Sequence, residues 1–176
     1  VIERDTAVND MEVSIDEECS RILARRQPAA SDLRLVLAVA KITTDLERIG
    51  DEAAKISRHA IKLAESDSTS SSYVEVTRIS KYVISMLRQS LDAFARLDVE
   101  LAIEVVKSDQ MVDKEYGSAM RSLVTFMMED PRLIGSVLNE IWALRSLERV
   151  GDHASNIAEY VIYLVRGMDV RHVELD

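Results

Sequence analysis

Two stretches of this chain carry the same phrase, 101 residues apart. Leu46 to Ile56 reads LERIGDEAAKI and Leu147 to Ile157 reads LERVGDHASNI, with seven of the eleven positions identical. In each copy a glutamate and an aspartate stand four residues apart, Glu47 with Asp51 and Glu148 with Asp152. In a helix that spacing stacks two carboxylates on one face, one turn apart. The chain is therefore read as a duplicated helical unit, each half carrying an acidic pair in the same register.

Composition agrees with helices. Only 5 Gly and 2 Pro occur in 176 residues, so breakers are scarce and long helices are expected. Aromatics make up 5%, and the apolar content is mostly Leu, Ile, Val, Ala and Met, which suits helix-on-helix packing. Charged residues reach 30% and the net charge is −9, which disfavours nucleic acid and anionic lipid but is compatible with binding cations. Cys19 stands alone, so no intrachain disulfide or cysteine-based zinc site is available, and it reads as a small core residue. No apolar run is long enough to span a bilayer, and a reducing cytoplasm is the expected location. The chain opens at Val1 in mid-pattern without Met, and is read as a fragment.

The hydrophobic periodicity divides the chain into five helices, over 1–26, 31–65, 73–97, 99–128 and 131–166. Val8, Met11, Ile15, Cys19 and Ile22 form the apolar stripe of the first. Ser31 or Asp32 is expected to cap the second, and Asp98 the fourth. Asp130 followed by Pro131 should open the fifth and Gly167 close it. The run SDSTSSS, Ser66 to Ser72, reads as a flexible linker. No segment alternates with period two, so no sheet is expected. The domains follow: a first repeat at 1–66, a linker at 67–72 and a second repeat at 73–167. The second repeat has three helices and the first only two. A helix upstream of Val1 is thus expected to be missing, leaving an apolar face for a partner chain or neighbour to cover.

Helical projection puts Ile42, Leu46, Ile49, Ala53 and Ile56 on one side of the second helix. Thr43, Glu47 and Asp51 fall on the other, which places the acidic row on the bundle exterior. A solvated charged face would account for one such helix. The row recurs, however, and each preceding helix carries its own pair, Asp5 with Asn9 and Asp109 with Asp113. Packed antiparallel, the two helices of a repeat would border one groove of oxygen ligands suited to magnesium, manganese or iron, and less specifically to zinc. Asn156 extends the second row, where the first has Lys55, so the second site should be the better one. Gly50 and Gly151, mid-helix, would let a neighbouring helix or a metal cluster approach closely. Arg48 and Arg149 read as surface ion-pairing residues, Arg48 with Glu52 for example. Trp142 and the Met127–Met128 pair read as packing residues.

LERIGD and LERVGD, together with MEVSID (Met11 to Asp16), RQPAASDLRLV (Arg26 to Val36), LDAFARLD (Leu91 to Asp98) and MMEDPR (Met127 to Arg132), resemble the PhoU family of bacterial phosphate regulators. The resemblance implies an all-α fold of tandem PhoU-type three-helix bundles, the first here lacking its N-terminal helix. It implies a cytoplasmic, non-enzymatic, dimeric regulator that restrains the Pst phosphate transporter and keeps the sensor kinase PhoR inhibitory. Contacts with PhoR and the transporter ATPase PstB would follow, with membranes reached only through those partners. It also implies multinuclear metal sites, of iron or zinc in some members and magnesium or manganese in others. Carried over to this chain, the ligands are Glu47, Asp51, Glu148 and Asp152, with Asp109 and Asp113, and Asp5 and Asn9 with an amide substitution. The rival reading is a carboxylate-metal enzyme or metal store of ferritin-like type, which places Glu-x-x-His motifs inside a four-helix bundle. No glutamate here is followed by histidine at the third position.

Overall fold

The computed structural model describes residues 1–65 and 73–167; the serine-rich run and the last nine residues lie outside the described residues. Five helices carry the fold: α1 (Asp5–Arg26), α2 (Ala30–Glu65), α3 (Val74–Arg96), α4 (Val99–Glu129) and α5 (Ile134–Arg166). Single 3-10 turns, Ile2–Arg4 and Pro131–Leu133, lead into α1 and α5. No strand occurs among the described residues.

The helix ends follow local chemistry. Asp98 caps α4, its Oδ1 accepting from the Leu101 N–H at 3.1 Å. Asp130 accepts from the Arg132 N–H at 3.0 Å, and Pro131 occupies the first position of the turn before α5. Gly167 closes α5 at φ 69°, a left-handed conformation that glycine adopts without strain. The start of α2 differs from expectation. It begins at Ala30, ahead of Ser31 and Asp32, and the Asp32 N–H is satisfied by the Ala29 carbonyl at 2.8 Å.

The second repeat is a three-helix bundle of α3, α4 and α5. Ile79, Leu123, Leu144, Ile157 and Ile162 are fully enclosed in it, each contributing about 1.5–3 kcal/mol of burial. The repeats are not separate cores. Ile42 and Ile49 of α2 belong to the same apolar cluster as the α3–α5 residues, and α2 against α5 is the most extensive helix pair. Helix α5 is thus the central rod, buried on several sides.

Helix α1 packs on α2 alone among the long helices. Of its apolar stripe only Cys19 is buried, while Met11 is 58% and Ile15 39% exposed. Leu37 and Ile61 of α2 are also exposed. Two helices shield only one side of each other, and α5 covers a second side of α2, so Met11, Ile15, Leu37 and Ile61 are left facing solvent.

Candidate functional site

The two acidic rows occupy equivalent grooves. In the second repeat Gly151 lies under Asp109: a Cβ on Gly151 would stand 3.6 Å from Asp109 Oδ1 and 3.6 Å from Val112 Cγ1. In the first repeat a Cβ on Gly50 would stand 3.5 Å from Asp5 Oδ1 and 3.4 Å from Val8 Cγ1. The missing side chains let α4 and α1 bring an aspartate over the Glu–Asp row of the next helix. The glutamates of the rows are less exterior than projection suggested, while Asp152 and Asp113 are exposed as it implied. The side chains of Glu148 and Glu47 are only 13% and 16% exposed. Projection against one bundle's core overlooked the neighbouring helix that flanks each row.

Charge is crowded in the second groove. Burial, the carboxylate of Asp152, and then those of Asp113, Glu148 and Glu159 push Asp109 up to about 6. Glu148 is raised by burial and by Asp152, against the opposing pull of Arg145. Asp152 is raised by burial and by Asp113. Arg145 NH1 reaches Glu148 Oε1 at 2.9 Å, while Glu148 Oε2 is buried without a hydrogen-bond partner.

The first groove is arranged differently. Arg48 spans its row, with Nε 3.4 Å from Glu47 Oε2 and NH1 3.3 Å from Asp51 Oδ2. Asp5 Oδ1, above Gly50, is buried and unpartnered. Asn9, one turn further along α1, is exposed. Among the described residues, no three His, Cys, Asp or Glu side chains stand close enough together to hold an ion as they are placed. Their chemistry fits a hard cation nonetheless. Each groove ends in an orphaned buried carboxylate oxygen, and the second holds four acids that repel one another.

Four residues stand elsewhere than the sequence suggested. Asn156 turns to α2, its Nδ2 donating to Asp45 Oδ1 at 3.2 Å. Arg48 pairs along its own row, and Glu52 instead takes Lys55 Nζ and Arg149 NH1, each 2.9 Å from Oε1. Trp142 is 56% exposed, not packed, because it projects from the flank of α5 beside α2. Met128 is also exposed, while Met127 does pack against the core.

The α2–α5 seam carries a second set of polar contacts, which helical projection did not bring together. His153 Nδ1 donates to Asp45 Oδ1 at 2.7 Å, joined there by Asn156. Applying the 101-residue offset, Asp45 corresponds to Ser146, His153 to Glu52 and Asn156 to Lys55. Ser146 indeed hydrogen-bonds Glu52, so the two contacts are pseudo-twofold mates across the seam. Burial alone would raise Glu52. Hydrogen bonds from Lys55 and Ser146, with the charges of Lys55 and Arg149, outweigh it and hold the carboxyl below its ordinary range. Asp45 takes both of its partners, His153 and Asn156, from the other repeat, and Glu52 takes Ser146 and Arg149 from it beside Lys55 of its own helix, so spacing within one repeat carries no signal for either.

Helices throughout the described residues, in two repeats each with an acidic row beneath a companion aspartate, define a duplicated helical-bundle protein. The chain belongs to the PhoU domain family, whose model matches residues 1–60 and 76–161. It is 62% identical over 175 residues to the phosphate-specific transport system accessory protein PhoU homolog of Pseudomonas aeruginosa, covering 99% of this chain and 72% of that protein. The Escherichia coli phosphate-specific transport system accessory protein PhoU is 49% identical over 179 residues, covering 100% of this chain and 74% of that one. Among solved structures, the crystal structure of PhoU from Pseudomonas aeruginosa superposes with a TM-score of 0.92 at 61% identity, over 94% of this chain and 79% of that chain. The phosphate transport system regulatory protein PhoU from Streptococcus pneumoniae gives 0.87 at 29% identity, over 99% and 80%. The family is one of accessory regulatory proteins, and the chain is not an enzyme. No helix among the described residues is long and apolar enough to cross a membrane.

Proposed function

We propose that this chain is an accessory regulator of phosphate transport and signalling. It restrains the Pst transporter and keeps the kinase PhoR inhibitory through contacts with PhoR and PstB, working in the cytoplasm as a homodimer. Its relatives' names as phosphate-specific transport system accessory proteins support the role.

In this reading the acidic rows bind metal. Asp109, Asp113, Glu148 and Asp152 would hold it in the second groove; Asp5, Asn9, Glu47 and Asp51 would hold it in the first. Asn156 is the weakest of the proposed ligands, since its amide nitrogen is engaged on Asp45. A multinuclear iron or zinc site, or magnesium or manganese, would neutralise the crowded carboxylates and tie adjacent helices together. The observation that carries this is the raised Asp109 beside the buried, unpartnered Glu148 Oε2. Carboxylates are held together at that cost where a cation repays it. Arg48 already spans the first row, so the second groove is the stronger site.

The test is capture of PhoR and PstB by wild-type protein and by a variant with Glu148→Lys and Asp152→Lys. Loss of either partner supports the acidic face as the docking surface. Equal recovery of both refutes it.

A further inference from the structure

The two pseudo-equivalent halves of the α2–α5 seam have diverged. At one, Asp45, His153 and Asn156 close on each other, and Lys41 lies over the Tyr160 ring at 5.4 Å. At the other, the mates of these residues line an open cleft of about 320 Å³. Lys55, Arg145 and Arg149 reach into it together with His59 and Trp142, and its one acidic lining residue is Glu52. Three cations against one carboxylate leave the lining positive in a chain whose net charge is −9.

Glu52 organises the cleft. Its side chain is 3% exposed; one oxygen accepts a hydrogen bond from Lys55 Nζ and forms an ion pair with the Arg149 guanidinium at 2.9 Å. Those heads are fixed at their inner ends, yet Lys55 and Arg149 remain 42% and 45% exposed. An ammonium has three donors and a guanidinium five, so each keeps hydrogens for a second acceptor. Arg145 spends one nitrogen on Glu148 and is 51% exposed. Its guanidinium ties the cleft to the end of the second acidic row.

We infer that this cleft binds a small phosphoryl anion, held by Lys55, Arg145 and Arg149. Phosphate oxygens match the fork of two guanidiniums and the point charge of an ammonium. The volume exceeds what one phosphate fills, and the exposed face of Trp142 gives a planar ring somewhere to stack. Both free phosphate and a nucleoside phosphate offer the shared group. The site needs only the cleft, so its failure would leave the proposed regulatory role standing.

Trp142 is the chain's only tryptophan and reports on its own site. The experiment titrates the full chain with inorganic phosphate and, separately, with ADP, with and without a chelator, following tryptophan fluorescence. The Lys55→Gln and Arg149→Gln variants are compared with Arg25→Gln, an exposed position on α1, after thermal melting confirms that each is folded. The expected result is a saturable change that survives the chelator, with affinity at least about tenfold weaker in both cleft variants and unchanged in Arg25→Gln. A response to phosphate alone identifies the free anion as sufficient; a tighter response to ADP adds the ring on Trp142. No saturable change with either ligand up to about 10 mM, or equal affinity in all variants, overturns the inference.

Discussion

Gly151 lies directly beneath Asp109, close enough that a Cβ added to the glycine would stand 3.6 Å from the aspartate Oδ1. That distance is ordinary van der Waals contact, so Gly151→Ala fits without displacing α4. Alanine removes the glycine penalty of a helix interior, and the variant is expected to be more stable by about 0.5–1 kcal/mol in urea melts. The added methyl also occupies the floor of the groove, so cation affinity should fall in the same protein. Opposite signs for stability and binding would show that the glycine serves the site. A loss of both would show that it serves packing.

Asp109 gives the metal-free protein a pH dependence of known sign. Its folded value, about 6, lies above the ordinary carboxylate range, so the native state binds the proton more tightly than the unfolded chain does. That contribution is fully present below the ordinary range and is lost as pH rises through about 6. Asp113 on the same helix and Glu148, Asp152 and Glu159 on α5 are the charges that face it. Glu148 and Asp152, also raised, act in the same direction. The melting temperature of chelated protein should therefore rise between pH 7.5 and 5.5. Asp109→Asn should flatten that rise and add roughly 3 °C or more at pH 7.5.

Glu52 has the opposite sign. Held below its ordinary range, it contributes stability that is present at neutral pH and lost as pH falls through its folded value. Glu52→Ala leaves Lys55 and Arg149 at the seam without their shared carboxylate and should cost about 1–3 kcal/mol at pH 7. The loss should shrink as pH falls below the ordinary glutamate range, which denaturant melts across pH would show.

Glu140 is 2% exposed within α5, and its carboxyl is raised by burial and by Glu75. Glu140→Gln removes a charge that the folded state disfavours. The variant should melt higher than wild type at pH 7.5, with the gain vanishing as pH approaches the ordinary glutamate range. A lower melting temperature at pH 7.5 would mean that the ionised carboxylate is stabilised there.

The five helices, the caps at Asp98 and Gly167 and the duplicated rows were legible because each rests on local spacing. The pairing of each row with its companion aspartate was legible because Asp5 and Asp109 recur at an offset of 104 residues, close to the 101 of the rows. The α2–α5 seam was not legible. It joins Asp45 to His153 and Glu52 to Arg149, residues 108 and 97 positions apart, and no periodicity reports which outer faces of two rods meet. Trp142 was misjudged for the same reason. A large apolar residue on a helix is ordinarily core, and only the placement of α2 shows that its ring stands at the rim of a polar cleft.

The central claim is that carboxylates of neighbouring helices share a cation in each repeat, more strongly in the second. Elemental analysis of purified protein reloaded with iron, zinc, manganese or magnesium tests it most directly. Wild type should retain metal through desalting, Glu148→Ala with Asp152→Ala should lose the larger part, and adding Glu47→Ala with Asp51→Ala should remove the rest. Metal content that is the same in wild type and in the fourfold variant would contradict the account.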